Sequence, residues 1–335
     1  MWEFPAWDPV IVELYGGVAL RWYGLAYVVA FFVAQSLMTR LQRDGFFRVE
    51  REQVGDLIFY TVIGTILGGR VGYALFYENE LLHPGQFIQV WKGGLSFHGG
   101  LLGVVFAFAL FARKRRLRVA RLADVCALAV PPGIFCVRMA NFVNGELYGR
   151  VCSAGTFSAM QFPTDDIALR RFGLLAPEID NRARELGIQY AVGHLEWKDV
   201  ADRLGPHAEQ LEPLLDWDAV REFVPYRFPS QLYEGFGEGI VVGVLLWILY
   251  AKTRSKPLRP GRLGGVFLLA YGVIRWLIEF VRQPDRQFRD ADHPIGTVFL
   301  GMTMGQLLCA GMIAAGLVML LRPTKPDEVN ERSMA

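Results

Sequence analysis

The residues best suited to chemistry in this sequence lie at Arg138-Met-Ala-Asn141-Phe-Val-Asn144-Gly-Glu146-Leu-Tyr-Gly149, which closes the apolar run beginning at Leu122. An arginine, two asparagines and a glutamate therefore stand where a helix leaves a bilayer. Ionisable groups at that depth are costly, face a protein interior or cavity, and mark functional sites. Arg138 and Asn141 are three apart and share a helix face. Gly145 is expected to end or bend that helix, which lets Glu146 turn back toward the same cavity. A second polar stripe, Tyr271, Arg275 and Glu279, runs at intervals of four along another apolar segment. An intrahelical Arg275–Glu279 pair would satisfy itself, which explains why both residues are there but not why a membrane contains them. A guanidinium carries five donors in a rigid fork, so one engaged with a carboxylate can hold a second anion. Two arginines on different apolar segments point to a phosphate-bearing ligand drawn from the surrounding lipid.

Other groups carry weaker signals. His98, in Gly94-Leu-Ser-Phe-His-Gly-Gly100, begins an apolar segment. A lone histidine there is an ordinary interfacial residue; beside a double-arginine site it becomes a candidate proton acceptor, since imidazole titrates near neutrality. Tyr23, in Arg21-Trp-Tyr-Gly24, equally suits an interfacial aromatic belt. Arg70 is an intramembrane charge whose partner spacing does not reveal. Pro229-Ser-Gln-Leu-Tyr-Glu234 reads as the capped start of a span. Cys126, Cys136, Cys152 and Cys309 form no CxxC or Cys/His metal spacing, and no glycine-rich turn ends in Gly-Lys-Ser/Thr. No internal repeat is evident, which weighs against an inverted-repeat transporter.

The elements that must position these groups are membrane helices. The 335 residues are 53% hydrophobic and carry a formal charge of +2, with a mean hydropathy of +0.26. The apolar residues fall in runs of about 20, the length that spans a bilayer as helix. Seven spans are predicted, at Val18–Met38, Val54–Tyr77, Leu95–Ala112, Leu122–Val143, Leu232–Tyr250, Gly264–Val281 and Thr297–Leu321. The runs are continuously apolar, not alternating, which favours helices over a barrel. Arg40, Arg43, Arg48 and Arg51 follow span one, Arg113 to Arg121 follow span three, and Lys252 to Arg262 follow span five. The opposite side has only Lys92 between spans two and three, with Arg282, Arg286 and Arg289 as the exception. The positive-inside rule then puts the N-terminus outside and the C-terminus inside, and both arginine sites in the outer half. Residues 1–17 lack Lys and Arg, so no positively charged leader is expected and the first helix should drive insertion.

Arg150–Phe228 is polar, with amphipathic stretches at Pro177–Leu186 and Leu195–Leu215. The expected class is thus an all-α polytopic membrane protein with seven transmembrane helices and an inserted extracytoplasmic head. Its divisions are a membrane domain over residues 1–149, a head over 150–228, and a membrane domain with cytoplasmic tail over 229–335. Glycines crowd the spans, as in Gly64-x-x-x-Gly68 and Gly99-Gly100-x-x-Gly103, and are expected to let helices approach closely.

Taken together, these blocks resemble the bacterial prolipoprotein diacylglyceryl transferase family. The resemblance is carried by Arg138 with Asn141-Phe-Val-Asn-Gly-Glu-Leu-Tyr-Gly149, by Trp22-Tyr-Gly24, Gly69-Arg-Val-Gly-Tyr73 and Gly94-Leu-Ser-Phe-His-Gly-Gly100. It continues in Pro229-Ser-Gln-Leu-Tyr-Glu234, Arg275-Trp-Leu-Ile-Glu-Phe-Val-Arg-Gln-Pro-Asp285 and Met304-Gly-Gln306. The blocks follow the family's order and cover nearly the whole chain outside the head. Val137 and Ala140 stand where the family usually has glycine, which would tighten packing around Arg138, and the head is longer.

The resemblance implies a multi-pass enzyme of the bacterial inner (cytoplasmic) membrane. It would move the sn-1,2-diacylglyceryl group of phosphatidylglycerol to the lipobox cysteine of a preprolipoprotein, recognised with its signal peptide. A thioether forms and glycerol-1-phosphate leaves. By position, His98, Arg138, Arg275 and Glu279 would be catalytic. Tyr23, Arg138, Asn141, Glu146, Gly149, Tyr271 and Arg275 would bind phosphatidylglycerol. No metal, cofactor or nucleic acid is implied. The competing reading is a phospholipid transporter or scramblase using the same arginines as a headgroup relay; it would need a polar path through the inner leaflet, which the sequence does not supply.

Overall fold

Backbone polar groups inside a bilayer have no water to bond, so an apolar run must satisfy them along its own axis. The apolar runs of this chain accordingly form helices. The computed structural model describes residues 2–5, 7, 9–13, 19–76, 84–88, 96–165, 221, 224–284 and 296–323. A strand pair, β1 (Val10–Glu13) and β2 (Ala19–Arg21), precedes α1 (Trp22–Arg43), α2 (Arg51–Phe76) and the short α3 (Pro84–Phe87). Then come α4 (Phe97–Lys114), α5 (Val119–Ala129) and α6 (Pro131–Val143). After the inserted segment follow α7 (Ser230–Glu234), a π-helical stretch Gly235–Val241, α8 (Val242–Lys252) and α9 (Arg262–Ile278). Strands β3 (Thr297–Phe299) and β4 (Met302–Thr303) lead into α10 (Met304–Leu321). Both sheets described are two-stranded and antiparallel, and neither closes.

Among the described residues, four helices are long and apolar enough to cross a membrane: Trp22–Arg43, Arg51–Leu75, Ser230–Lys252 and Met304–Leu321. The pair α5 and α6 makes a fifth if taken as one span bent by 45°. Pro131 stands at that bend, where a missing N–H and the ring's bulk break the helical ladder. Helices of 18 and 17 residues, α4 and α9, overlap the other two predicted spans but are not among the helices that are long and apolar enough to cross.

The predicted limits shift where polar partners intervene. Span one starts at Trp22, because Ala19–Arg21 pairs with Val10–Glu13. Span seven starts at Met304, because Thr297–Thr303 folds into a hairpin with Thr297 opposite Thr303. Span five is interrupted by the glycine-rich π segment Gly235–Val241, a helical form often found beside functional sites. The predicted helical stretches of the head, 177–186 and 195–215, lie outside the described residues.

Beside an apolar core, many large apolar side chains face outward and several charged ones are buried. Phe32, Phe59, Leu102, Phe106 and Val318 are exposed on helices, while Arg70, Asp124, Gln231, Glu234 and Glu279 are buried. Large exposed apolar side chains in this number fit a lipid environment.

The chain divides into two units. The second comprises Tyr27–Cys136, Phe236–Ile274 and Leu308–Ala335. Its core is built on Leu41, Phe47, Leu57, Phe111, Leu122, Leu128, Leu246 and Leu263. Here α2 and α4 touch through glycine, as expected: a Cβ on Gly68 would lie 2.8 Å from Gly103 Cα, and one on Gly72 would lie 2.7 Å from Gly99 Cα. Asp124, buried on α5, accepts from the backbone nitrogens of Gly261 (2.8 Å) and Gly264 (2.9 Å) at the start of α9. It thus caps a helix distant in sequence. Asp124→Ala would strand these buried donors. It should lower stability by about 1–3 kcal/mol, read as a lower unfolding midpoint in detergent; an unchanged midpoint would remove Asp124 from this role.

Candidate active site

The first unit comprises Met1–Ala26, Val137–Gly235 and Arg275–Leu307, and both arginine sites fall in it. Helix α6 ends at Val143, and Gly145 takes a φ of +63° that glycine adopts without strain. The chain then folds back, with Glu146 N donating to Asn141 O at 3.0 Å. Glu146 Oε1 accepts from Asn141 Nδ2 at 2.9 Å and from Asn144 Nδ2 at 3.3 Å. Arg138 Nη1 in turn donates to Asn141 Oδ1 at 3.4 Å. The structure therefore joins Arg138, Asn141 and Glu146 into one polar chain.

A residue that sequence reasoning left as part of a cap completes this group. Glu234, the last residue of α7, is fully buried, and its Oε2 lies 2.7 Å from Arg138 Nε. Its Oε1 lies 3.2 Å from Arg282 Nε, so one carboxylate serves two guanidiniums. Signals for both were available. Glu234 is a charge at the head of an apolar run, and Arg282 belongs to the group that broke the positive-inside count.

The segment Pro229–Glu234 also differs from its expected capping role. Pro229 makes no side-chain cap bond. Instead Ser230 Oγ donates to Leu147 O at 2.9 Å and Gln231 Nε2 to Glu146 O at 2.6 Å, which fastens α7 to the turn after α6.

The second centre lies at the end of α9. Arg275 Nη1 donates to Glu279 Oε2 at 2.7 Å, and Thr303 Oγ1 donates to Glu279 Oε1 at 2.8 Å. Glu279 is buried, and the side chain of Arg275 is 11% exposed. Arg150 Nε donates to Arg282 O at 2.9 Å. Burial lowers the Arg150 pKa, while the Glu279 carboxylate opposes that shift. Gly149 passes so close to Phe228 that a Cβ would lie 2.8 Å from Phe228 Cβ and O, which accounts for glycine there. Arg227 bonds Asp165 and Gln283 and stacks over the Tyr148 ring at 4.9 Å. Arg138, Arg150, Arg227, Arg275 and Arg282 thus accompany four carboxylates, Glu146, Asp165, Glu234 and Glu279. Among these described groups the arginines outnumber the carboxylates, and in a half-buried to buried setting that favours an anionic ligand.

Against this geometry, a family model described as prolipoprotein diacylglyceryl transferase matches residues 9–322. The chain belongs to the prolipoprotein diacylglyceryl transferase family. Curated relatives named phosphatidylglycerol–prolipoprotein diacylglyceryl transferase are similar to it along nearly their whole length. One from Paraburkholderia phymatum is 39% identical over 322 residues, covering 95% of this chain and 93% of that protein. One from Neisseria meningitidis serogroup B is 36% identical over 320 residues, covering 95% and 96%. One from Xanthomonas euvesicatoria pv. vesicatoria is 39% identical over 318 residues, covering 93% and 90%.

Of the residues that the family resemblance singles out, Tyr23, Arg138, Asn141, Glu146, Gly149, Arg275 and Glu279 lie in the first unit. His98 and Tyr271 lie in the second. His98 is exposed in the first turn of α4, whose cap is Ser96 Oγ accepting from Gly99 N at 3.3 Å. The Tyr271 ring sits 5.5 Å from that of Phe267. Of the two departures from the family pattern, Ala140 is buried and Val137 half-buried beside Arg138.

Proposed function

We propose that this transferase carries the sn-1,2-diacylglyceryl group of phosphatidylglycerol to the lipobox cysteine of a preprolipoprotein. It does so as a seven-span protein of the bacterial inner membrane, with its N-terminus and head outside. The observation that carries the reading is a set of five arginines with four carboxylates, of which Arg227, Asp165, Glu234 and Glu279 are buried and the others half-buried, in a chain whose helices expose apolar side chains. The names of its relatives supply the two substrates.

In the reaction the cysteine sulfur attacks the glyceryl carbon that bears the phosphate ester. A carbon–sulfur bond forms, the carbon–oxygen bond breaks, and the bonding pair leaves with glycerol-1-phosphate. Negative charge grows on the departing phosphate, and Arg138 and Arg275 stabilise it where fixed cations in a dry site count most. Asn141 and Glu146 orient Arg138, and Glu279 orients Arg275. Glu234 keeps Arg138 and Arg282 together despite their like charges. The family resemblance assigns Tyr23, Tyr271 and Gly149 to binding of the lipid headgroup. A free thiol has a pKa near 8.5 and reacts as thiolate, so its proton must go to a base, the role given to His98.

The test is purified protein in phosphatidylglycerol vesicles with a lipobox peptide, followed by mass spectrometry. A folded preparation that adds no diacylglyceryl mass to the cysteine would sink the proposal. His98→Gln should lower the rate by about 10²- to 10⁴-fold at neutral pH. Part of that loss should return as pH rises toward the thiol's own pKa, because solution then ionises the nucleophile. A loss that stays constant from pH 7 to 9 would assign His98 to binding instead.

A further inference from the structure

The Glu279 carboxylate rests against the first turn of α10, and the residues there leave it one position. Thr303 precedes that helix and uses its hydroxyl twice: Oγ1 donates to Glu279 Oε1 at 2.8 Å and accepts from Gln306 N at 3.2 Å. Gln306 Oε1 accepts from Thr303 N at 3.1 Å, which completes a capping box, while the hydroxyl's direction is set by the Gln306 backbone N–H. The other carboxylate oxygen takes Arg275 Nη1 at 2.7 Å. Gly305 closes the remaining side. A Cβ there would lie 2.6 Å from Glu279 Oε1, 2.7 Å from Cδ and 2.8 Å from Oε2. Its backbone is helical and lacks the positive φ that would itself call for glycine. The absence of a side chain at 305 is therefore room for Glu279.

We infer that Thr303 and Gly305 are positioning residues of the reaction. They set the Glu279 carboxylate and, through it, the direction in which the Arg275 fork meets the lipid phosphate. This rests on the proposed role of Arg275. A guanidinium on a long flexible stem is useful in catalysis only when its partner is immobile, because misdirected donors do not follow charge as it develops. A hydroxyl bond, an ion pair and a close-packed helix turn together hold the carboxylate still.

Gly305→Ala separates positioning from support. Alanine is the better helix former, and the atom it would strike is the end of a flexible side chain, so a supporting role predicts a folded and fully active enzyme. The inference predicts a folded enzyme with kcat reduced about ten- to a hundredfold, the worth of one hydrogen bond to a charged group. KM for phosphatidylglycerol should stay within about threefold. Thr303→Val should lose as much in kcat, and Thr303→Ser should restore it. Thr303→Asp keeps a good helix cap but faces Glu279 with a like charge and no donor, so it should fail as Thr303→Val does. Gln306→Ala, which leaves the Thr303 hydroxyl in place, should stay within about threefold of wild type.

Wild-type turnover in Gly305→Ala or Thr303→Asp would overturn the inference, as would a Thr303→Ser variant no better than Thr303→Val. Arg275→Lys and Glu279→Gln run in parallel tell the two levels apart. If those retain activity, the reading of Arg275 fails. If they lose it while the Thr303 and Gly305 variants do not, only the positioning inference fails.

Discussion

Arg275→Lys should reduce diacylglyceryl transfer by about 10²- to 10³-fold, the range seen when one preorganised donor to a developing oxyanion is removed. Lysine keeps the charge, so a purely electrostatic site would tolerate the change. The geometry asks for more than charge. One edge of the Arg275 guanidinium bonds Glu279 at 2.7 Å, and the phosphate must be met from the same rigid plane. A single ammonium on a freely rotating stem cannot hold both partners at fixed angles. The measurement is steady-state transfer to a lipobox peptide in phosphatidylglycerol vesicles. Turnover within about threefold of wild type, where no fork is lost, would take Arg275 out of the catalytic set.

Glu234→Ala should be the most destabilising single change in this group. The residue is fully buried and lies 2.7 Å from Arg138 Nε and 3.2 Å from Arg282 Nε. Its removal leaves two guanidiniums in a poorly solvated region with less counter-charge. Breaking a buried pair this way costs about 3–5 kcal/mol. Chemical unfolding in detergent would show the loss as a lower midpoint. Because the penalty is an uncompensated charge and not a missing contact, Glu234→Gln combined with Arg282→Gln should recover some of it. The double variant should therefore be more stable than the sum of the single changes predicts. Strict additivity would mean that Glu234 and Arg282 do not act as a pair.

How far the site could be read from sequence follows from the range of each interaction. Arg138, Asn141 and Glu146 lie close together in the chain, so residue spacing and one glycine sufficed to expect them on a common side. Arg275 and Glu279 are four apart on a helix, and the same argument applies. Glu234 was read only as part of the capped start of a span, because its partners come from two other segments and no spacing rule reaches them. Thr303 is similar: its bond to Glu279 spans 24 residues, across a stretch that sequence alone assigned to the continuous apolar span Thr297–Leu321. The hairpin that replaces the start of that span is what brings the hydroxyl to the carboxylate.

The sequence by itself determined that this is a helical membrane protein and which family it resembles. It also determined that arginines stand at the ends of two apolar runs. Hydrophobic length and local helical periodicity are properties of consecutive residues, and they survive without knowledge of the fold. Beyond the Arg275–Glu279 pair, only the tertiary structure decided which carboxylate answers which arginine. Burial obliges every guanidinium to find a counter-charge but does not say which. That choice is made when α7 is fastened to the turn after α6 through Ser230 and Gln231, and when the cap of α10 meets the end of α9 through Thr303.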